Sequence, residues 1–546
     1  MRKSGCTMAA LLAALTISLP LIARAADDKT PAKTAEKEPA QAVTTQGAVD
    51  AGGQHILYDA IAGTITVGAT NEQDAQLGTD GKPQPDTNLA AEVAQAKDPS
   101  QAPPTARMFY VAYFKKDANP DQRPITFLYN GGPGSSTVWL HMGSFGPKHV
   151  VTEADTHLPA APYKLVDNAE SLLDVSDLVF VDMPGTGFGR LTGKDPEKAF
   201  WGIDEDGHAF GRFIQRFLSQ YNRWNSPKYI FGESYGTTRS AVLGARLQRD
   251  GITLNGIVLM SSVLDFETLL FAPGHDLSYV LYLPSYAATA VYHKVIPAPA
   301  NFPAFLSEVR RYAIGDYGAA LAAGASLPAD RKATVAKQLA AYTGLPEDYL
   351  VKADLRVNLR QFMAELQRSR GMVTGRLDSR FSGPLPDLLS EYAPGDPQSN
   401  AVTGAFTAAV NSYLRGELKF ESPDRYWLGG GNNGQWNWTR EGARGWATTT
   451  YVGSDLSEAL INNPYLRVEI ENGYYDLATP FFATEYTVSH LEGLSPELRD
   501  NIKLKYYDAG HMMYLYEPAL AALKQNIARF IANPTPATAR SAGGSN

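Results

Sequence analysis

Short apolar runs punctuate the chain and repeatedly end in glycine turns. Ile125–Tyr129 runs into Gly131-Gly132-Pro133-Gly134, and Leu178–Val181 into Asp182-Met183-Pro184-Gly185. Tyr229–Phe231 runs into Gly232-Glu233-Ser234-Tyr235-Gly236, and Ile257–Met260 follows. Runs this short, bounded by turn residues, predict buried strands. Between them Phe210, Phe213, Ile214, Phe217, Leu218 and Tyr221 fall on one side of a helix, and a second helix is expected from the Ser234 turn to Gln248. Strands alternating with helices predict an α/β fold, a mostly parallel sheet with helices on both faces.

The flanking segments read differently. His55–Val67 predicts strand, turn and strand, with Gly63 at the break, and Met108–Phe114 predicts another strand. The polar stretch 72–104 between them is expected to be a long loop. The β/α rhythm stops near Asp265, and Val335–Leu339 and Leu359–Leu366 carry helical spacing. Residues 265–440 are therefore expected to form an inserted, mainly helical cap, with the run Gly429–Gly434 as a loop in it. The rhythm resumes at Tyr465–Ile470 and Ile502–Tyr506, and Leu520, Leu523, Ile527 and Phe530 make the apolar face of a last helix. The core is thus expected to comprise residues 51–264 and 441–533.

The ends carry other patterns. Arg2 and Lys3 precede the apolar run Met8–Ile22, which Ala23-Arg24-Ala25 closes. That is the form of a signal peptide over residues 1–25, so export to the periplasm or outside is expected, with no membrane association after cleavage. Residues 26–50, rich in Ala, Lys, Glu, Thr and Pro, are expected to be a flexible leader, and residues 534–546 a disordered tail. Cys6 is the only cysteine among 546 residues. The chain after cleavage then offers no cysteine nucleophile, thiolate metal site or disulfide. The net charge of -8 gives no basic face for nucleic acid. No metal cluster or phosphate loop stands out, and no cofactor is expected.

Candidate chemistry centres on Ser234. Gly-x-Ser-x-Gly between a strand and a helix is the setting of a nucleophile elbow. A capping serine in an ordinary strand-to-helix turn is the competing reading. A serine hydroxyl needs a base to remove its proton. Of nine histidines, His275, His293, His490 and His511 follow Ser234. His511 lies just after the last expected strand, at the carboxyl end of the sheet, and is the expected base. Asp476, after the preceding strand, is the expected acid that orients it. Asp508 competes but lies close to His511 in a turn, and Asp182 precedes the serine. The backbone N–H of Tyr235 and one from the Asn130–Gly134 turn would form an oxyanion hole.

Taken together these motifs resemble the serine carboxypeptidase family of the α/β-hydrolase fold. Asn130-Gly131-Gly132-Pro133-Gly134-Ser135-Ser136, Asp182-Met183-Pro184-Gly185-Thr186-Gly187-Phe188, Gly232-Glu233-Ser234-Tyr235-Gly236 and Gly510-His511-Met512 occur in the family's order. The resemblance implies a triad of Ser234, Asp476 and His511, with Gly132 and Tyr235 holding the oxyanion. It also implies that Asn130, Gly131 and Glu233 grip the C-terminal carboxylate of a peptide substrate. A carboxyl group can bond that anion only when protonated. The sequence departs from the family pattern at Ser144, where a second glutamate often stands, at Thr237-Thr238-Arg239 and at Met513-Tyr514. Arg239 is expected on the helix surface.

Three functions fit these residues. The first is removal of one C-terminal residue from peptides through an acyl-enzyme on Ser234. The second keeps the triad in an esterase, amidase or acyltransferase. The third is a periplasmic binding protein that uses the cap cleft without catalysis.

Overall fold

The structure is a computed structural model that describes residues 42–429, 435–442 and 449–533. Its centre is a sheet whose strands are β1 (Ala42–Ala51), β2 (Gln54–Gly68), β3 (Thr105–Lys115), β4 (Ile125–Tyr129), β5 (Asp177–Val181), β6 (Arg190–Thr192), β7 (Lys228–Glu233), β8 (Gly256–Met260), β9 (Arg467–Gly473) and β10 (Ile502–Tyr507). They lie in the order β1-β2-β3-β5-β4-β7-β8-β9-β10, with β6 beside β3. From β5 through β10 every neighbouring pair on this path is parallel, while β1, β2 and β3 form an antiparallel flank. This is the mostly parallel α/β sheet that the strand-helix rhythm predicts, in the α/β-hydrolase fold that the family resemblance implies.

The central strands are buried on both faces, which explains why their sequences are continuous apolar runs. Ile230 and Ile257 point into one apolar core, while Phe231 and Val258, one residue on, point into the other. The helix α1 (Ile203–Gln220) covers the first core with Phe210, Phe213 and Phe217. On the second face, the last helix contributes Leu520, Leu523 and Ile527.

Three expectations change. Residues 42–50 of the supposed flexible leader are strand: β1 pairs with β2 across Gly52-Gly53. Both glycines have positive φ, 56° and 73°. That is what a tight two-residue hairpin requires. The β1 sequence is polar and small, so its apolar signal is weak, and its order comes from the partner strand. Gly63 does not break β2, which runs unbroken because Ala42 and Tyr110 flank it on either side. The stretch 72–104 holds the helix Asn88–Gln95 and is stapled by Asp74, whose carboxylate accepts from Arg216 Nε at 2.9 Å.

The inserted segment divides in two. Helices such as Leu277–Tyr292 and Ala329–Thr343 build their own apolar core, which Leu477 and Phe481 join from the second part of the sheet domain. The helix Pro397–Ser412 instead sends Val402, Phe406 and Val410 into the core beneath the sheet. That part of the insertion is a wall of the main body rather than a separate cap. The run at 430–434, the segment 1–41 and the tail 534–546 lie outside the described residues.

Candidate active site

β7 ends at Glu233, and the helix α2 (Tyr235–Arg249) begins one residue after Ser234. The turn between them puts Ser234 at φ 60°, ψ -130°, a backbone region that a non-glycine residue enters only under constraint. Its N–H donates to the Met260 carbonyl at 2.9 Å, and its carbonyl accepts from Thr237 N at 2.8 Å and Thr237 Oγ1 at 2.7 Å. Gly232 is obligatory here: a Cβ on it would lie 2.1 Å from the Gly236 carbonyl oxygen. Ser234 makes no capping hydrogen bond to its helix, so its hydroxyl remains available.

Ser234 opens onto a cavity of about 280 Å³ that is also lined by Asn130, Gly131, Gly132, Glu233, Tyr235 and His511. Asp476 lies behind His511, fully buried. His511 Nδ1 is 2.8 Å from Asp476 Oδ2. This contact occupies Nδ1 and leaves Nε2 as the nitrogen that can serve the cavity. Asp476 Oδ1 accepts from the backbone N–H groups of Ala478 and Thr479 at 2.8 and 2.9 Å, and Oδ2 accepts from Thr479 Oγ1 at 2.7 Å. The carboxylate is thus held in one orientation against the imidazole. Burial pushes the His511 imidazolium towards deprotonation, but the charge and hydrogen bond of Asp476 outweigh it, and the net shift is upward.

The competing groups sit elsewhere. Asp508 is exposed, and its carbonyl accepts from Arg380 Nη1 at 2.9 Å. His490 stacks on Tyr486, with ring centroids 4.1 Å apart. His293 bonds the Ser379 carbonyl at 2.6 Å, and His275 lies 3.7 Å from Glu267.

The two turns expected to supply the oxyanion donors approach closely at the elbow. Tyr235 is the first residue of α2, where a backbone N–H has no partner within the helix. A Cβ on Gly131 would fall 2.4 Å from Tyr235 N, so only glycine lets the two turns approach. Gly132 follows at φ 107°.

Beside the serine, Glu233 Oε2 accepts from Asn130 Nδ2 at 2.6 Å and from the Tyr514 hydroxyl at 3.0 Å. Burial pushes its carboxyl up to about 7, against the opposing pull of His511, Tyr514 and Asn130. Asn130 is itself fixed: its Oδ1 accepts from Leu140 N at 3.0 Å and its carbonyl from Arg239 Nη1 at 2.8 Å. Arg239 is therefore not on the helix surface. It is fully buried, paired with the equally buried Asp206 at 2.6 Å, and its guanidinium lies 4.3 Å from the centre of the Phe210 ring. Ser144 turns away from the cavity and donates to the Leu140 carbonyl at 2.6 Å.

Residues 99–268 match the family model described as serine carboxypeptidase. The segment holds the Asn130–Gly134 turn, the Asp182 turn and the Ser234 elbow. Over that segment the chain is similar to the serine carboxypeptidases. A pheromone-processing carboxypeptidase of Phytophthora infestans is 28% identical over 205 residues, which cover 33% of this chain and 31% of that protein. A serine carboxypeptidase-like protein of Arabidopsis thaliana is 30% identical over 134 residues, 24% of this chain and 29% of the relative. The matches thus span less than a third of these relatives' own length. Among solved structures, a proline iminopeptidase of Mycobacterium smegmatis aligns over 79% of this chain and 95% of its own, with 14% identity and a TM-score of 0.34.

Asp476 and His511 fall outside the matched segment, so their pairing rests on the geometry. Several neighbours had no signal in the sequence. Tyr514 stands where the family pattern has proline, and it supplies the second donor to Glu233. Thr479 bonds Asp476, and its hydroxyl lies 3.3 Å from His511 Nδ1. The stretch 376–380 of the insertion is laid against both loops that carry the pair. Leu477 N donates to the Arg376 carbonyl at 3.1 Å, His511 N to the Leu377 carbonyl at 2.7 Å, and Ser379 N to the Tyr475 carbonyl at 2.9 Å. Gly510 N donates to Asp378 Oδ2 at 3.1 Å, and Arg380 bridges Asp378 and the Asp508 carbonyl. An Asp-x-Arg signature this far from the histidine is visible only once the chain has folded.

Proposed function

We propose that this chain is a serine carboxypeptidase that hydrolyses the last peptide bond of substrates with a free C-terminus. The observation that carries this reading is the adjacency of two devices in one cavity. One is Ser234 beside a histidine whose Nδ1 is engaged by a buried carboxylate. The other is Glu233, next to that serine, with a carboxyl group pushed up to about 7.

In this reading His511 Nε2 takes the Ser234 proton as Oγ attacks the scissile carbonyl. Asp476 holds the imidazole in the tautomer that presents Nε2 and stabilises the imidazolium. The N–H groups of Gly132 and Tyr235 receive the charge that builds on the carbonyl oxygen. His511 then gives its proton to the departing amine, and water repeats the cycle on the acyl-enzyme. Asn130, Gly131 and Glu233 hold the α-carboxylate of the leaving residue. Both donors to Glu233 fall on Oε2, which leaves Oε1 as the oxygen that carries the proton to the substrate anion. The mechanism needs no cofactor.

The deciding assay compares a peptide with its C-terminal amide. Cleavage of the free acid, with the amide at least tenfold slower, supports the carboxypeptidase. Equal turnover of the two would assign the same triad to an esterase or amidase. No covalent labelling of Ser234 by a fluorophosphonate would leave a binding protein. Export is part of the proposal and rests on the charged, apolar and small-residue order of residues 1–25. Among the described residues no helix is long and apolar enough to cross a membrane.

A further inference from the structure

Apart from Glu233 and His511, one side chain of an acidic or basic residue lines the catalytic cavity among the described residues: Arg376, contributed by the insertion. The rest of the wall is neutral, and much of it is apolar, as at Trp139, Phe266, Leu269 and Val402. The other arginines around this site are consumed by partners. Arg239 is paired with Asp206, and Arg380 with Asp378 and the Asp508 carbonyl. Arg376 lines the cavity, is exposed, and forms no ion pair among the described residues.

Its base is held firmly. Arg376 N donates to Asp396 Oδ2 at 2.7 Å, and its carbonyl accepts from Leu477 N at 3.1 Å. The next carbonyl, that of Leu377, accepts from His511 N at 2.7 Å. Asp396 does not neutralise the guanidinium. Its carboxylate caps backbone, taking the N–H groups of Arg376 and Leu377 on one oxygen and those of Gln398 and Ser399 on the other. The side chain therefore springs from a main chain pinned to the loops of both Asp476 and His511.

Position decides which part of a substrate this cation can meet. The carbonyl of Arg376 accepts from Leu477 N, one residue past Asp476, and the adjoining Leu377 carbonyl accepts from His511 N. Arg376 thus belongs to the histidine wall of the cavity. His511 delivers its proton to the leaving group, so a charge on that wall faces the leaving group rather than the acyl part. A planar guanidinium with no protein partner is suited to a carboxylate.

We propose that Arg376 makes the cavity selective for leaving groups that bear a carboxylate beyond the one held by Asn130 and Glu233. For a peptide this means a C-terminal aspartate or glutamate, whose side chain meets Arg376. The proposal rests on Ser234 and His511 acting as described above, but not on the scissile bond being a peptide bond.

The test uses the full protein and matched substrate pairs: peptides ending in Glu or Gln, and esters whose alcohol carries a carboxylate or its amide. A charged hydrogen bond at a partly exposed site gives an expected preference of about tenfold in kcat/KM for the acidic member. That preference falls as ionic strength rises. Arg376→Gln brings the ratio close to one, and Arg376→Lys, which keeps the charge but not the fork, retains part of it. A ratio near one in the wild type overturns the proposal, and so does a preference that survives in Arg376→Gln. Selectivity for an acidic residue on the acyl side of the bond, with none on the leaving side, overturns it as well. If esters show the preference and peptides are not cleaved, Arg376 stands and the carboxypeptidase reading fails. Absence of turnover on every pair ends both.

Discussion

Asn130 donates its side-chain amide to Glu233 at 2.6 Å while its backbone carbonyl receives Arg239 from the opposite side. The glutamate beside the serine is thereby tied, through one residue, to an ion pair buried beneath the elbow. The family that the motifs resemble often has a second glutamate at the position of Ser144. Here Glu233 is bonded by an amide and a tyrosine hydroxyl instead.

The first prediction follows from that substitution. With Glu233 pushed up to about 7, the acid is protonated below neutrality and ionised above it. Its ionised form repels a substrate carboxylate, so KM for a free-acid peptide should rise as pH passes through about 7. The groups facing Glu233 are His511, Asp476, Tyr514 and Asn130, and His511, against its burial, is raised from its ordinary value mainly by the charge of Asp476. Glu233→Gln keeps a donor and removes the ionisation, so it should flatten the rise in KM while the His511 limb of kcat remains. The KM of a C-terminal amide should respond little to pH. The same shift predicts a stability effect. The folded state holds this proton over a pH range in which the unfolded chain has released it, so stability should fall as pH rises from about 4.5 to about 7 and level off above that. Thermal unfolding of wild type and Glu233→Gln at pH 5 and pH 8 checks the sign: the glutamine variant should lose less.

Ser234→Ala should abolish fluorophosphonate labelling and lower kcat by several powers of ten, with unfolding temperature little changed. The variant removes a hydroxyl that makes no helix-capping bond, so a large loss of stability is not expected. Intact-mass spectrometry after labelling reads the first effect and circular dichroism the second. Activity near that of the wild type would refute the nucleophile.

The triad acid can be tested against its neighbour. Asp476→Asn should cripple turnover because the amide cannot hold His511 in the required tautomer, while Asp508→Asn, at an exposed position, should do far less. Thr479→Val removes one of the hydrogen bonds to Asp476 Oδ2 and should cost roughly tenfold in kcat. The three variants compared in kcat at fixed pH give the order of effects. A reversed order for Asp476 and Asp508 would exchange their roles.

The Arg239–Asp206 pair makes a prediction about stability. Both side chains are fully buried, so removing one partner leaves a charge without compensation. Asp206→Ala should destabilise the fold by about 3–5 kcal/mol, measured by urea unfolding. The double variant Arg239→Met with Asp206→Leu should recover much of that loss, because an apolar pair of similar volume avoids the desolvation cost. Any loss of kcat that persists in the double variant reports the contact from Arg239 to the Asn130 carbonyl.

The rhythm of apolar runs and glycine turns determined the parallel sheet, the order of its central strands' motifs and the elbow at Ser234. Those signals are local, since strand period, turn chemistry and the close packing of Gly232 act within a few residues of one another. The same locality explains the errors. β1 has little apolar content and is ordered by its partner, Gly63 is kept extended by strands on both sides, and Arg239 is drawn inside by Asp206, 33 positions earlier. Only the tertiary structure could bring Tyr514 to Glu233 across 281 residues, or Asp378 to Gly510 across 132. It alone could place Arg376 on the wall beside His511. Such contacts depend on how the insertion docks against the sheet, and docking is decided by the packing of whole faces, which no short window of sequence records.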